Sequence, residues 1–530
     1  MSGASDSNSS TVSKIPLQHA LTQTLFYRPA KVMSYDIQNN YAVYFEAGDY
    51  IQGLSLLSSV TNAGTSTSTP KHAHLALIPP PQHLAFLATL VVHPTTTTRA
   101  LSPERSNASN IALQTLATIN KVVGAINTHT STAFAFSKGN SARRGGGKRR
   151  GVTARSDSSE DDPNERVIVS KLATEESIFA NAEDFWHIVG WAFNCSIIWP
   201  KRWERWKMWI EYMLDVMEAD WNERFSENKK SKPEKDKSLE QSLAALYLRE
   251  GQHRHFQKRI FRAILADGDA KFLNEFGEVF HNETKERKVK QTKKPTPSKG
   301  VNFEEGNLGD YGNEDDDDDL MEDVPSARET KSPSSELQSP GIAAYGGIES
   351  ILLRQRILAF LSKISLDTPH FLDTQRDFFD LYSEYLRSLP LSRFTALLQT
   401  SLLPPSSQLL LNAITMRPLL PTSPPEYSSG SALHQADFER HFLPHAANSH
   451  NTSDNAKLAL LLENTLLTLL KQGSLKTTEK LGEVTLYGIL KRRTRAWTDA
   501  RRKRGDDEAV RVMADCHVRV MGLLVGLGLG

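Results

Sequence analysis

Apolar residues along this chain return at every third or fourth position, and a convincing alternation at every second position is almost absent. That period is the signature of amphipathic helices rather than strands. "YAVYFEAGDYIQGLSLLSSV" (Tyr41–Val60) and "QHLAFLATLVVHP" (Gln82–Pro94) each predict a packed helix. "NIALQTLATINKVVGAIN" (Asn110–Asn127) predicts a third, with Ile111, Leu113, Leu116, Ile119 and Val122/Val123 on one arc. Five leucine-rich segments towards the end of the chain repeat the i, i+3, i+4, i+7 pattern: "GGIESILLRQRILAFLSKI", "TQRDFFDLYSEYLRSL", "SRFTALLQTSLL", "NAKLALLLENTLLTLLKQG" and "TTEKLGEVTLYGILKRRTRAW". Proline-rich breaks such as "LLPPSS" and "RPLLPTSPPEY" separate some of them.

The pattern divides the 530 residues into three helical blocks, 17–136, 167–284 and 342–530. A Ser/Thr/Asn-rich start (1–16) and two charged stretches (137–166 and 285–341) have the composition of disordered chain. Many helices joined by short turns predict an all-α fold, either an α-solenoid or an irregular helical-repeat-like array. No fixed repeat period singles out a repeat family.

Composition sharpens this picture at a few points. The chain is 39% hydrophobic and 24% charged. The apolar share lies below the about 45–50% usual for a fully folded chain, as expected if the linkers are disordered. The net charge of +1 conceals basic and acidic blocks set side by side. Cys195 and Cys516 are the only cysteines and show no zinc-ligand spacing, which argues against a disulfide scaffold and secretion. The start has no apolar signal segment, and no stretch reaches the roughly 20 apolar residues of a membrane span. "VRVMGLLVGLGLG", interrupted by Arg519, reads as the end of a packed helix, with a tail anchor as the competing reading.

Seven of the eight tryptophans lie between Phe185 and Trp221. A helix from Pro200 to about Phe225 would place Trp203, Trp206, Ile210, Met213, Leu214, Met217 and Trp221 within an arc of about 100°. Proline suits a first helical turn, where its missing N–H leaves no bond unmade. Glu204, Glu211, Asp215 and Glu218 gather on the opposite side. Trp203, Trp206, Ile210, Met213, Met217 and Trp221 are therefore expected in a structural core. The competing readings are a groove for a partner helix or a nucleic-acid stacking platform, the latter flanked by Lys201, Arg202, Arg205 and Lys207.

Catalytic motifs are scarce. "GNSARRGGGKRRG" lacks the glycine spacing and the Ser/Thr of a phosphate loop, and neither G-x-S-x-G nor H-E-x-x-H occurs. His434, His441 and His445, with Asp437, could hold zinc if the fold converged them; an inter-helix loop is the plainer reading. His253 and His255 read as part of a basic helix face. No cofactor is expected and no catalytic residue can be named.

The charged tracts say more. Arg143, Arg144, Lys148, Arg149 and Arg150 form one basic cluster; Lys288, Lys290, Lys293 and Lys294 form another. Arg492, Arg493, Arg495, Arg501, Arg502, Lys503 and Arg504 form a third, on a predicted helix. Such tracts serve as nuclear import signals or polyanion contacts. Ser158 and Ser159 precede acidic residues, while Thr296, Ser332 and Ser339 precede proline; all five are candidate phosphorylation sites. Phosphorylation there would add about −1.5 to −2 charge beside a basic tract.

These features predict a nuclear, non-enzymatic helical scaffold that bridges proteins in a chromosome-associated complex of DNA repair, cohesion-type or chromatin machinery. Its expected partners are other proteins of that complex, with weak DNA or RNA contact through the basic tracts and no membrane. A nucleolar or RNA-associated assembly factor is the alternative, and a metal-dependent hydrolase built on the histidine cluster is a further one.

Overall fold

A computed structural model of the chain describes residues 26–136, 165–230, 237–249, 254–285, 339–368, 374–422, 424–426, 433–500 and 507–529. Among these, 21 α-helices account for most of the structure. Strand is confined to Ala30–Val32 (β1) and Ala76–Ile78 (β2), which pair in parallel with Ala30 opposite Ala76 and Val32 opposite Ile78.

The helices of seven residues or more carry the architecture. The first four are α1 (Tyr35–Ala47), α2 (Tyr50–Asn62), α3 (Pro81–Val92) and α4 (Pro103–Val123). Tyr41–Val60, expected as one helix, is two. Gly48 takes φ +83°, a left-handed conformation that only glycine adopts freely, and the N–H groups of Gly48 and Asp49 return to Phe45 O and Tyr44 O. The helix expected from Asn110 begins earlier, at Pro103, because Ser102 caps it and proline is tolerated in its first turn. It ends at Gly124, where φ is again +83° but ψ is extended, a combination that only glycine adopts freely.

The middle of the chain folds into α5 (Phe185–Ile198), α6 (Pro200–Lys230), α7 (Leu243–Arg249) and α8 (Arg254–Ile264). The last part contributes α9 (Ile348–Asp367), α10 (Gln375–Ser388), α11 (Leu391–Gln399), α12 (Pro405–Met416), α13 (Gln435–His441), α14 (Thr452–Lys471), α15 (Glu479–Ala500) and α16 (Asp507–Gly526). Local signals set several of these ends. Asp184 accepts the His187 N–H at the start of α5, and Thr374 with Asp377 forms a reciprocal capping box on α10.

α6 is the central strut. It packs on α3 and α4, on its neighbours α5 and α7, and on α9. From α9 the contacts pass to α10, then α12, α14, and finally α15 and α16. One connected core runs from Met33 to Val520 through all three parts of the chain. The stretches expected as disordered, 137–166 and 285–341, lie almost wholly outside the described residues. Arg166, at the edge of the first, is held by Gln38, Asn39 and Glu46, and His83 Nε2 lies 2.5 Å from its carbonyl.

Candidate interaction surface

Helix–helix packing consumes the aromatic stretch. Trp203, Trp206, Ile210, Met213, Met217 and Trp221 are all buried, as are Trp186, Trp191 and Trp209; Trp199 is half-buried. A stacking platform needs open ring faces, and these are covered. Basic groups that could have flanked such a platform are engaged as well. Arg205 donates to Asn110 Oδ1 (2.7 Å) and Ser109 Oγ (3.2 Å), and Lys207 pairs with Glu349 at 2.9 Å. Arg202 is buried against Glu283 and donates to Thr97 Oγ1 at 3.0 Å.

Glu283 is a residue that periodicity could not single out. Its carboxylate is fully enclosed and accepts from Trp206 Nε1 (3.2 Å) and from the backbone N–H groups of Val279 (3.0 Å) and Phe280 (3.3 Å), besides pairing with Arg202. Desolvation raises its pKa, and the Arg202 charge opposes that rise. A charge so deeply buried is tolerable only when it is paired and fully hydrogen-bonded. The cluster ties the end of the middle block to α6 and, through Thr97, to the first block.

A second buried cation joins the middle block to the last. Arg354, on α9, is fully buried; it donates to the Ile264 carbonyl and to Ser350 Oγ (3.3 Å) and lies over the rings of Phe193 (3.9 Å) and Tyr345 (4.7 Å). Burial lowers its pKa to about 9. Around it, Arg356 reaches Asp215 (2.6 Å) and Glu218 (2.8 Å), Arg393 pairs with Asp267, and Trp221 donates to Asp367 (3.0 Å). Directional groups of this kind fix register where apolar packing alone would allow sliding.

The histidine cluster does not converge. His434 is exposed ahead of α13; His441 is half-buried at its last residue and His445 half-buried beyond it. No group of three His, Cys, Asp or Glu side chains among the described residues could hold a metal ion. His255 is exposed on α8, and His253 lies outside the described residues.

The basic tracts fare unevenly. Arg143, Arg144, Lys148, Arg149, Arg150, Lys288, Lys290, Lys293, Lys294, Arg501, Arg502, Lys503 and Arg504 lie outside the described residues, as do Ser158, Ser159, Thr296 and Ser332. Ser339 is exposed at the start of the short helix Pro340–Ala343. Arg492 corrects the expectation of a surface contact. It is 2% exposed, and its Nη1 donates to the carbonyls of Leu443 (3.0 Å) and His445 (2.9 Å). Burial lowers its pKa to about 10. Its neighbour Arg493 is exposed, and Arg495 is half-buried against Asn448 O.

The surface that remains open is on α15 and α16. Gly482, near the start of α15, lies against Leu529, just past α16, so the two helices run antiparallel. Both pack on α14 through one face. α15 buries Leu481, Thr485, Gly488, Ile489, Arg492 and Ala496; α16 buries Ala509, Met513, Cys516, His517, Val520 and Leu524. Gly482, which lies against Leu529, is buried as well; apart from it the spacing is identical in the two helices. Their outer faces show Leu486, Tyr487 and Leu490 on one, and Val510, Val518 (71% exposed) and Val525 (63%) on the other. Exposed apolar side chains gathered in this way mark contact surfaces more often than singly scattered ones do. "VRVMGLLVGLGLG" thus largely belongs to a packed helix, and no helix among the described residues is long and apolar enough to cross a membrane. Neither a protein-family model nor a curated protein matches the chain.

Proposed function

We propose that the protein is a nuclear, non-enzymatic scaffold whose helices form a solenoid- or repeat-like array bridging proteins in a chromosome-associated complex of repair, cohesion-type or chromatin machinery. The supporting observation is the outer face of α15 and α16, where Leu486, Tyr487, Leu490, Val518 and Val525 stand open beside the exposed Arg493. Apolar residues rimmed by charge are the usual composition of a partner-binding patch. The buried Arg354 and the ion pairs of Arg356 with Asp215 and Glu218 and of Arg393 with Asp267 link the middle block to the last and supply the stiffness a bridge requires, and the basic tracts supply nuclear import.

Arg493, exposed on α15, also favours a second reading, an RNA-associated assembly factor. Purification of the protein with its partners from its own cells, with nuclease and at two salt concentrations, separates the two. Protein partners retained after nuclease and at the higher salt support the scaffold. Partners lost with either treatment support the RNA-associated factor, because phosphate contacts weaken steeply with salt.

A further inference from the structure

A cleft of about 600 Å³ opens between α10, α12 and the turn that follows α12. Its volume falls within the range of ligand pockets, about 300–1,000 Å³. Three arginines line it: Arg376 and Arg387 from α10, and Arg417 from the turn after α12. One carboxylate of the protein already bridges two of them. Glu426 accepts from Arg417 Nη1 at 2.8 Å through one oxygen and pairs with Arg376 Nη1 at 3.0 Å through the other. The Glu426 side chain is 58% exposed and is attached through the proline-rich turn rather than a helix. Among the described residues, the Nε of Arg387 is buried without a hydrogen-bond partner. Asp380 and Glu384 also line the cleft; Asp380 meets Arg376 at 3.7 Å.

We propose that this cleft binds a phosphorylated serine or threonine in an extended peptide, and that Glu426 occupies the phosphate position in its absence. A carboxylate offers two oxygens and one charge, and it engages two of the three guanidinium groups. A phosphomonoester offers three oxygens and nearly two charges, enough to engage the third. The turn that carries Arg417 also contributes Pro418, Leu420, Pro421 and Pro425 to the lining, aliphatic groups suited to an extended peptide backbone rather than to stacked bases. The inference goes beyond the scaffold reading and stands whether or not the protein resides in the nucleus.

The test is fluorescence anisotropy on the full-length, phosphatase-treated chain. The probe is a labelled peptide with the sequence of Lys331–Pro340 phosphorylated at Ser332, alongside its unphosphorylated twin. The phosphopeptide should bind at least about tenfold more tightly than the twin, a difference of about 1.4 kcal/mol. Glu426→Ala should tighten it further by removing the competing carboxylate, whereas Arg417→Lys and Arg387→Ala should weaken it. Melting curves identify any variant that fails to fold. Glu426→Ala keeps the test decisive in that case, since damage to the fold would not increase affinity. Equal binding of the two peptides overturns the proposal, as does phosphopeptide binding indifferent to both Glu426→Ala and Arg417→Lys. Displacement of the phosphopeptide by an equal concentration of inorganic phosphate also overturns it, because the peptide would then contribute nothing.

Discussion

The α5–α6 pair and the α15–α16 pair place polar groups in opposite surroundings. In α5 every residue from Phe185 to Ser196 is buried, and only the last two, Ile197 and Ile198, reach the surface. Its polar residues are spent on neighbouring backbone. Asn194 donates to Phe276 O (3.1 Å) and accepts from Gly268 N (3.0 Å), and His187 Nε2 reaches Gly277 O at 3.1 Å. The Phe276 ring sits where a Cβ on Gly190 would be, at 2.3 Å, so that position admits no side chain. α15 and α16 are buried on one face only. Each pair leaves some buried polar atoms without a hydrogen-bond partner among the described residues; in the first these include Trp191 Nε1 on α5 and Trp209 Nε1 on α6. Among the described residues both ring nitrogens of His517 and the Nε of Arg492 are buried without a hydrogen-bond partner. A helix enclosed on all sides meets only protein, whereas one at the edge keeps an open face for contact.

The largest test of this contrast is Trp206→Ala against Val518→Ala. Trp206 is fully enclosed and also donates to Glu283, so its loss should cost about 3–5 kcal/mol in denaturant unfolding. Val518→Ala on the outer face should stay within about 0.5 kcal/mol.

Glu283→Leu comes next. It leaves Arg202 charged and unpaired in the core and should cost about 3–5 kcal/mol, while Arg202→Met combined with Glu283→Leu should recover much of that loss. A double variant as unstable as the single one would show that shape rather than charge pairing governs the site.

Arg492 and Arg493 distinguish burial from surface charge on adjacent residues. Arg492→Ala strands the carbonyls of Leu443 and His445 and should lower stability by about 1–3 kcal/mol, whereas Arg493→Ala should leave the melting temperature unchanged. Any nucleic-acid affinity carried by this tract should respond to Arg493→Ala.

The histidines give a pH test. Burial lowers the pKa of His187; burial, followed by the charges of Arg492 and Arg493, lowers that of His517 to about 3. Unfolded histidines titrate near about 6.5. As pH falls below that value, the unfolded chain takes up the proton first and stability declines; above about pH 7 the contribution of the neutral forms is complete. His517→Leu should remove up to about 1.4 kcal/mol per pH unit of that decline and stabilise the protein by about 1 kcal/mol at neutral pH. His187→Leu should instead destabilise it, because it discards the bond to Gly277 O.

The smallest effect on the free protein is expected from Leu490→Glu. Stability should change by no more than about 0.5 kcal/mol, while partners captured through the outer face of α15 and α16 should be lost.

Helical content and the identity of most long helices were legible in the sequence, because the period of apolar residues is a local property. The first two helices were not separated, although Gly48 was a visible signal. The position of Arg492 could also have been read: it is eleven residues after Leu481, on the same arc as Thr485, Gly488 and Ile489. Reading the tract by charge rather than by helical phase placed it outside. Glu283 and Arg354 left no comparable trace, since each is defined by partners distant in the chain.

The sequence by itself determined where helices form, where glycine and proline stop them, and which stripe of α15 and α16 turns inward, since each depends on neighbours within a turn or two. Only the tertiary structure decided that α5 is enclosed from Phe185 to Ser196, that Glu283 meets Arg202 while Arg354 joins the middle block to the last, that the histidines form no three-ligand metal site among the described residues, and that three arginines share a cleft. These outcomes rest on residues far apart in the chain meeting in space, where burial makes an unpaired charge costly and so fixes which groups must meet.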